Sequence, residues 1–557
     1  MDILGLHSVS HSAAACLIRD GEILAAAEEE RFDRIKHSGA FPLNAIRFCL
    51  DTARTDLSSV SGIAVAYDPM KVAAYSIVHA LAWNGIAQPS EVVRTIRDEW
   101  HTLDGVLGAR RWLRNGDARL RVQYVSHHLA HAASSFLFSP FNTASILTLD
   151  GYGEHTSTMF ACGTGKTIRP LGSVSFPSSL GLLYNALTEF LGFRPDAEEG
   201  TVMGLAAYGH PEYSELFRRI VRPTPAGFSS DVSYLGHSGQ HATAKLRHVL
   251  GPPREPGSPV TQREMNIAAS LQQTTEEVSI HLARLLHQQD PRDDLCLAGG
   301  VALNCVMNGK LLEHTPFKRI FVPPAPGDAG TAMGAAGLLW YRLSGASRLE
   351  CSPTSFLGPS YDDASVLDAI TKAKTPHRRC DDPVAVAADL LHRGQVIGWF
   401  QGRMEFGPRA LGNRSILASP CVPTMTDFIN TRVKFRETFR PLAPAVTEED
   451  ASDFFRTLGP SPFMNMSYIV HPEVRAAIPA VVHADGSARV QTVSQNENPQ
   501  FWQLLKSFQA RSGVPVLLNT SFNIRGEPIV NTPSEAVQSY LQTPIDSLII
   551  GNYLLSK

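Results

Sequence analysis

The sequence contains no CxxC pair and no cysteine cluster. Its eight cysteines, at positions 16, 49, 162, 296, 305, 351, 380 and 421, are scattered and mostly sit in apolar surroundings. That excludes a disulfide framework and predicts reduced core thiols in a cytoplasmic protein. Excess charge of either sign is also missing: 50 Lys and Arg stand against 53 Asp and Glu, a formal net charge of -3. Such a balance gives no bulk attraction to nucleic acid or to an anionic membrane, so neither is expected as a partner. MDILGLHS carries an acid at position 2 and enters a strand pattern at once. No basic leader and no long apolar run follow, and the expectation is a chain without signal peptide or membrane span.

What is present is material for large cores. With 43% hydrophobic and 18% charged residues over 557 positions, a prior of about 150 residues per domain allows two to four units. Ala13–Ile18 and Glu22–Ala27 flank Arg19-Asp20-Gly21 and read as a hairpin. Ala144–Leu149 reads as a buried strand ending in Asp150-Gly151. Gly181–Gly192 and the run through Leu271, Val278, Leu282 and Leu285 have helical spacing. Met203–Gly209 reads as a small-residue turn and 222–262 as a surface excursion. Residues 70–120, with Trp83, Trp100 and Trp112, read as a helical insertion able to shape a substrate mouth. Glycine corners recur at Gly151, at Gly299-Gly300 and at Gly327, where small residues let backbone approach a ligand. A polar, turn-rich linker is expected between Leu343 and Asp362.

The chain is organised around Ser126–Ser135, SHHLAHAASS. His127 and His131 stand four apart in a small-residue helix, so their imidazoles share one face. Such a pair suits a divalent ion of the iron, zinc or manganese kind, with Asp150 as a candidate carboxylate. An isolated HxxxH is more often a packing feature, and the rest of the sequence changes that weighting. Beyond residue 362 the loop GRMEFGPRALGNR is dense in Arg and Gly, Lys434–Pro441 reads KFRETFRP, and the strand Val514–Leu518 ends in Asn519-Thr520-Ser521. Arg409 and Arg414 are interleaved with Gly407, Leu411 and Gly412, which fits a shaped pocket better than an open surface.

HSAAACLIRDGEI, EEERFDRIKH, HHLAH, LTLDGYGE, MGLAAYG, GGVALN, PGDAG, GRMEFGPRALGNRSIL, KFRETFRPLAP and LLNTSFN occur in an order that resembles the O-carbamoyltransferases of nodulation and antibiotic biosynthesis. The resemblance covers nearly the whole chain. It implies an α/β architecture: a Kae1-like module of the actin/hexokinase/Hsp70 class over residues 1–350, followed by a YrdC/Sua5-like module over 362–557. It further implies that the C-terminal module makes carbamoyl adenylate from carbamoyl phosphate and ATP with Mg2+, and that the N-terminal module passes the carbamoyl group to an acceptor hydroxyl.

By the same resemblance the metal ligands are His127, His131, Asp150 and Asp328, with iron(II) the expected ion. His128 is left to packing. His11 is the expected base, apt because an imidazole titrates near neutrality, and Lys36 is expected beside the anhydride or its phosphate. Gly151, Gly299, Gly300, Asn304 and Gly327 are the expected nucleotide-facing positions of the first module. Arg409, Arg414, Lys434, Arg440, Arg489, Asn519 and Ser521 are expected to receive carbamoyl phosphate and ATP, since several phosphate charges in one cleft call for cations. The chain departs from the pattern at Glu198-Glu199-Gly200-Thr201-Val202, where related sequences carry a lysine.

Two other readings compete. A tRNA threonylcarbamoyladenosine synthase would need a long basic face, which the near-neutral charge argues against. An actin-like ATP-binding regulator needs neither the HxxxH pair nor the Arg-rich module. The expected acceptor is a hydroxylated natural product, a macrolide or ansamycin-type glycoside or polyketide in preference to an aminoglycoside. The residues do not specify an oligomeric state.

Overall fold

A computed structural model describes residues 1–9, 11–75, 122–235, 243–349 and 352–557. The tryptophans 83, 100 and 112 of the expected insertion lie outside these residues. The chain divides into two units, one of Met1–Glu29 and His37–Pro353 and one of Glu30–Lys36 and Thr354–Lys557. The division at Pro353–Thr354 lies within the expected linker, and Glu30–Lys36, near the start of the chain, packs with the C-terminal half. The side chains of that segment explain why. Arg31 donates to the Gly407 carbonyl, and Arg34 donates to the carbonyls of Ile529 and Pro528.

Among the described residues, the first unit contains two five-stranded sheets with one plan. Strands β1 (Asp2–His7), β2 (Ala14–Arg19), β3 (Glu22–Glu28), β4 (Gly62–Ala66) and β5 (Val122–Val125) run in the order β3-β2-β1-β4-β5. The hairpin partners are antiparallel and β1, β4 and β5 are parallel. The second sheet repeats this with β6 (Thr143–Gly153), β7 (Thr156–Thr164), β8 (Thr167–Ser175), β11 (Asp294–Ala298) and β12 (Arg319–Phe321), in the order β12-β11-β6-β7-β8. A small hairpin, β9 (Val221–Thr224) and β10 (Gly227–Ser230), stands apart.

Four helices of this unit matter to the site: α1 (His127–Phe136), α2 (Glu199–Ala206), α3 (Gln262–Gln289) and α4 (Asp328–Ser344). α3 starts on a capping box between Thr261 and Glu264 and buries Ile267, Leu271, Val278 and Leu282 along one stripe. α4 lies close to both β1 and α1 because its contact residues are small. A Cβ on Gly334 would stand 1.9 Å from the Ala130 carbonyl oxygen, and one on Gly5 would stand 2.0 Å from that of Ala332. This approach carries the first residue of α4, Asp328, toward the histidines of α1.

The second unit, among the described residues, has one nine-stranded sheet in the order β13-β21-β20-β14-β15-β19-β16-β18-β17. Its strands are β13 (His377–Arg379), β14 (Ile397–Phe400), β15 (Arg414–Ala418), β16 (Ala443–Thr447), β17 (Met466–Ile469), β18 (Ser487–Val493), β19 (Val516–Ser521), β20 (Ser547–Ile550) and β21 (Tyr553–Ser556). Helices Pro383–His392 and Pro499–Ser512 cover one face, packing Leu391, Phe501, Leu505 and Phe508 against Trp399 and Leu417. Burying such side chains contributes about 1.5–3 kcal/mol each.

Three local expectations change. Most of Met203–Gly209 is helix, because α2 buries Thr201, Val202, Met203 and Leu205; Gly204 and Ala206 keep that packed turn slim rather than breaking it. The 222–262 stretch holds much of the β9–β10 hairpin and a helix at Ala244–Leu250. β6 continues through Asp150 to Gly153, with its pairing to β7 shifted between Leu149 and Gly153. The irregularity at that point lets a carboxylate leave the ladder.

Candidate functional site

In the first unit, four side chains distant in sequence converge. His127, His131, Asp150 and Asp328 each present one ligand-type atom, and these atoms all lie within 4.8 Å of one another. His127 Nε2 is 3.0 Å from both Asp150 Oδ2 and His131 Nε2. Asp328 Oδ1 is 3.5 Å from His127 Nε2 and 3.6 Å from His131 Nε2. Ligands bonded at about 2.1 Å to one ion stand roughly 3 to 3.4 Å apart in octahedral or tetrahedral geometry, so both spacing and donor chemistry fit a divalent cation. Both histidines are fully buried. Their Nδ1 atoms have no hydrogen-bond partner among the described residues.

Local structure explains the convergence. Glu154 accepts from the His127 amide at 3.0 Å and from the Asp68 amide at 2.9 Å, holding a carboxylate at the N-terminus of α1. Residue 153 has no room for a side chain, since a Cβ there would come within 2.3 Å of the His127 ring. Asp150 Oδ1 accepts from the Gly300 amide at 2.9 Å, which fixes the carboxylate and commits that amide to it. Asp328 opens α4, where the helix dipole favours an anion.

Burial opposes charge on His127, but Asp328 and Asp150 outweigh it and hold its pKa up at about 10. Asp150 is held below the ordinary carboxylate range: burial and Asp328 raise it, and hydrogen bonds from His127 and His131 overcome them. His128 points elsewhere, toward Thr148 Oγ1 at 2.6 Å, and burial pushes it down to about 3.

Around this cluster the structure adds residues that sequence reasoning missed. His7, the last residue of β1, places Nε2 3.5 Å from Asp328 Oδ2, and burial lowers it to about 4. Tyr67 packs on His127 with ring centroids 4.5 Å apart. His7 stands four residues before His11, but in a strand end and loop rather than a helix, and Tyr67 lies in no spaced motif; what marks both is their place at the end of a strand. His11 is 4.0 Å from Asp328 Oδ2 and keeps 39% of its side chain exposed, which leaves it accessible to a ligand. Glu199 is pushed up to about 7 by burial.

The glycine corners differ from one another. A Cβ on Gly151 would meet nothing within 4 Å, whereas one on Gly299 would strike the Leu149 carbonyl oxygen at 2.1 Å. Gly327 is the N-cap of α4. Asn304 caps the helix Cys305–His314 through the Met307 amide and exchanges hydrogen bonds with Gln272, so its amide group serves the scaffold.

In the second unit a cation cluster forms around Lys434, which is 3% exposed. Its ammonium donates to the Ser521 carbonyl and hydroxyl and to Asn523 Oδ1 and carbonyl. Burial, with the charges of Arg436, Lys36 and Arg440 adding to it, lowers Lys434 well below an ordinary lysine. Arg436 is lowered to about 9 by burial, Arg440 and Arg489. Lys36, expected beside the anhydride or its phosphate, thus belongs to this cluster in the second unit. Arg436, inside KFRETFRP, is a further member that the sequence reading passed over.

Arg409 is half-buried on the 401–413 loop, outside the cations acting on Lys434. Arg414 is fully buried. Its guanidinium lies 3.7 Å from the Phe400 ring centroid and donates to the carbonyls of Gln401, Gly402, Asn413 and Pro359. That geometry clamps the loop and leaves little of the group for a phosphate. Asn519 is buried, donating to the Ala410 carbonyl and Gln491 Oε1.

The doubled sheet, with its side-chain cluster at the ends of the two central strands, defines an actin/hexokinase-like first unit followed by a second α/β domain. A family model described as carbamoyltransferase N-terminus matches residues 2–337, and one described as carbamoyltransferase C-terminus matches 388–557. The chain belongs to the carbamoyltransferase family, and it is a transferase. Nodulation protein NolNO of Sinorhizobium fredii is 40% identical over 554 residues, covering 98% of this chain and 79% of its own length. The 3'-hydroxymethylcephem-O-carbamoyltransferase of Amycolatopsis lactamdurans is 32% identical over 362 residues, 64% of each chain. Among solved structures, full-length HypF in its phosphate- and nucleotide-bound form is similar at 13% identity and a TM-score of 0.33, over 62% of this chain and 56% of that one. No helix among the described residues is long and apolar enough to cross a membrane.

Proposed function

We propose that the chain is an ATP-dependent O-carbamoyltransferase working in two steps, one in each unit. The observation that carries this reading is the convergence of Lys36, Lys434, Arg436, Arg440 and Arg489, with Glu437 the acid that acts on Arg436. Carbamoyl phosphate and ATP together bring several negative charges, and a desolvated cation cluster is the arrangement that receives them.

In the second, YrdC/Sua5-like unit, water converts carbamoyl phosphate to carbamate and phosphate. A carbamate oxygen then bonds to the α-phosphorus of ATP, and the bond to the β-phosphate bridging oxygen breaks, releasing pyrophosphate and leaving carbamoyl adenylate. Mg2+ enters with ATP. Lys434, Arg436, Arg440 and Arg489 hold the phosphates, with Lys36 and Arg409 at the margin. Ser521 and Asn519 support Lys434 and the loop above it.

In the first unit the acceptor hydroxyl attacks the carbamoyl carbon. The new C–O ester bond forms, the C–O bond to the AMP phosphate breaks, and the hydroxyl proton passes to the His11 imidazole. His127, His131, Asp150 and Asp328 would hold a divalent ion, iron(II) by the family pattern, which when bound draws electron density from the carbonyl oxygen. The amides at Gly151 and Gly327 line the nucleotide; the Gly299 amide donates to the Pro326 carbonyl at 2.8 Å, and Gly299 contributes by the close backbone approach its missing side chain allows. The acceptor is a hydroxylated natural product, in line with the cephem relative.

The test is to incubate the purified chain with carbamoyl phosphate, ATP, Mg2+ and iron(II). Pyrophosphate release and carbamoyl-AMP are expected. Their absence, with an active control enzyme alongside, overturns the reading.

A further inference from the structure

We infer that Phe435 is the stacking surface for the adenine of the nucleotide whose phosphates occupy the cation cluster; this rests on the two-step reading above. The chain enters the position through a π-helical turn, Ile429–Val433, a geometry often found at functional sites. Lys434 then turns inward, 3% exposed, while Phe435 is 51% exposed. Arg436 turns back, its amide donating to the Asn430 carbonyl and its Nε to Asn430 Oδ1, both at 2.9 Å. Between the buried Lys434 and the partly buried Arg436, Phe435 adopts φ +50.

A bulky aromatic in the left-handed region is uncommon, and an exposed ring forgoes the burial that normally stabilises it. Strain of this kind persists where the surroundings fix it, and it collects at ligand sites. Here the fixing is visible: Asn430 holds Arg436, Ser521 and Asn523 hold Lys434, and Arg525 bridges the Phe435 carbonyl and Glu437 Oε1. The Phe435 ring has no aromatic partner among the described residues. A flat apolar surface held out beside clustered cations matches a ligand that joins a flat base to a polyanion. That ligand class is a nucleoside triphosphate.

Three variants test this in the full-length chain, using the KM for ATP in pyrophosphate release and the inhibition constant of inorganic tripolyphosphate, which carries the charge without the base. Phe435→Ala raises the KM for ATP about tenfold or more and leaves tripolyphosphate inhibition unchanged. Phe435→Trp keeps the wild-type KM. Phe435→Gly, which suits φ +50, matches Phe435→Ala in KM with no loss of thermal midpoint. An unchanged KM in Phe435→Ala, or a KM and a tripolyphosphate constant that rise together, overturns the inference alone. A wild-type chain without pyrophosphate release overturns the two-step reading and this inference with it.

Discussion

The Nε2 atoms of His127 and His131 lie 3.0 Å apart, each facing Asp150 and Asp328. Two nitrogen lone pairs at that distance repel unless a proton or a metal ion lies between them, and the two buried carboxylates favour a net positive charge there. A proton on His127 supplies one charge, and a divalent cation supplies two. The cluster is therefore built for a cation whichever occupies it.

The first prediction separates the two units. His127→Ala spares carbamoyl adenylate formation and lowers carbamoyl transfer by more than about a hundredfold, since loss of an outer partner of a metal ligand alone costs about 10- to 100-fold. Pyrophosphate release and carbamoylated product are measured side by side. Loss of both together would show that the steps are not divided as proposed.

The second concerns two glycines. Gly153→Ala drives a methyl into the His127 ring and removes transfer. Gly334→Ala meets the Ala130 carbonyl and the Ser134 amide, at 1.9 and 2.7 Å, and lowers stability by about 3 kcal/mol or more. Denaturant unfolding and the transfer assay distinguish a local displacement from a separation of α1 and α4.

A third follows from the depressed pKa of Lys434. Protonation favours anion binding, so tripolyphosphate binding takes up protons through this lysine and tightens as pH falls. Titration calorimetry in buffers of different ionisation enthalpy shows more proton uptake for the wild type than for Lys434→Met. Equal uptake would remove Lys434 from the anion site.

The fourth is a stability effect outside both clusters. Burial raises Glu497 to about 7 in the folded chain. Its folded pKa lies above the unfolded value, so its contribution is fully present below about pH 4.5 and is lost as pH rises through 7. Glu497→Gln therefore matches wild type at pH 5 and is more stable at pH 8 by roughly 1–3 kcal/mol, measured by thermal unfolding at both values.

Much of this was legible in the residues. The hairpin about Gly21, the long stripe of Leu271 to Leu282 and the HxxxH face follow from periodicity and turn chemistry, which act locally. Asp328 entered only through the ordered motifs, because what joins it to His127 is the slim α1–α4 contact at Gly334, a tertiary fact. His7 stands four before His11, but at a strand end, where that spacing does not put two side chains on one face. Met203–Gly209 misled because glycine and alanine mark both turns and tightly packed helices. For Arg414 the Gly-rich surroundings indicated a pocket, and what the local sequence did not show is that its guanidinium donates to the carbonyls of Gln401, Gly402, Asn413 and Pro359. The family pattern sets Lys36 beside the anhydride or its phosphate without saying which unit holds it, and in the structure its charge acts on Lys434 of the second.

The passage of Glu30–Lys36 into the second unit constrains any dissection of the gene. A fragment beginning at Thr354 lacks Arg31, Arg34 and Lys36, and so lacks the struts to Gly407, Pro528 and Ile529 together with one of the cations acting on Lys434. A chimera between relatives must therefore take its first forty residues and its C-terminal half from the same parent to keep those contacts.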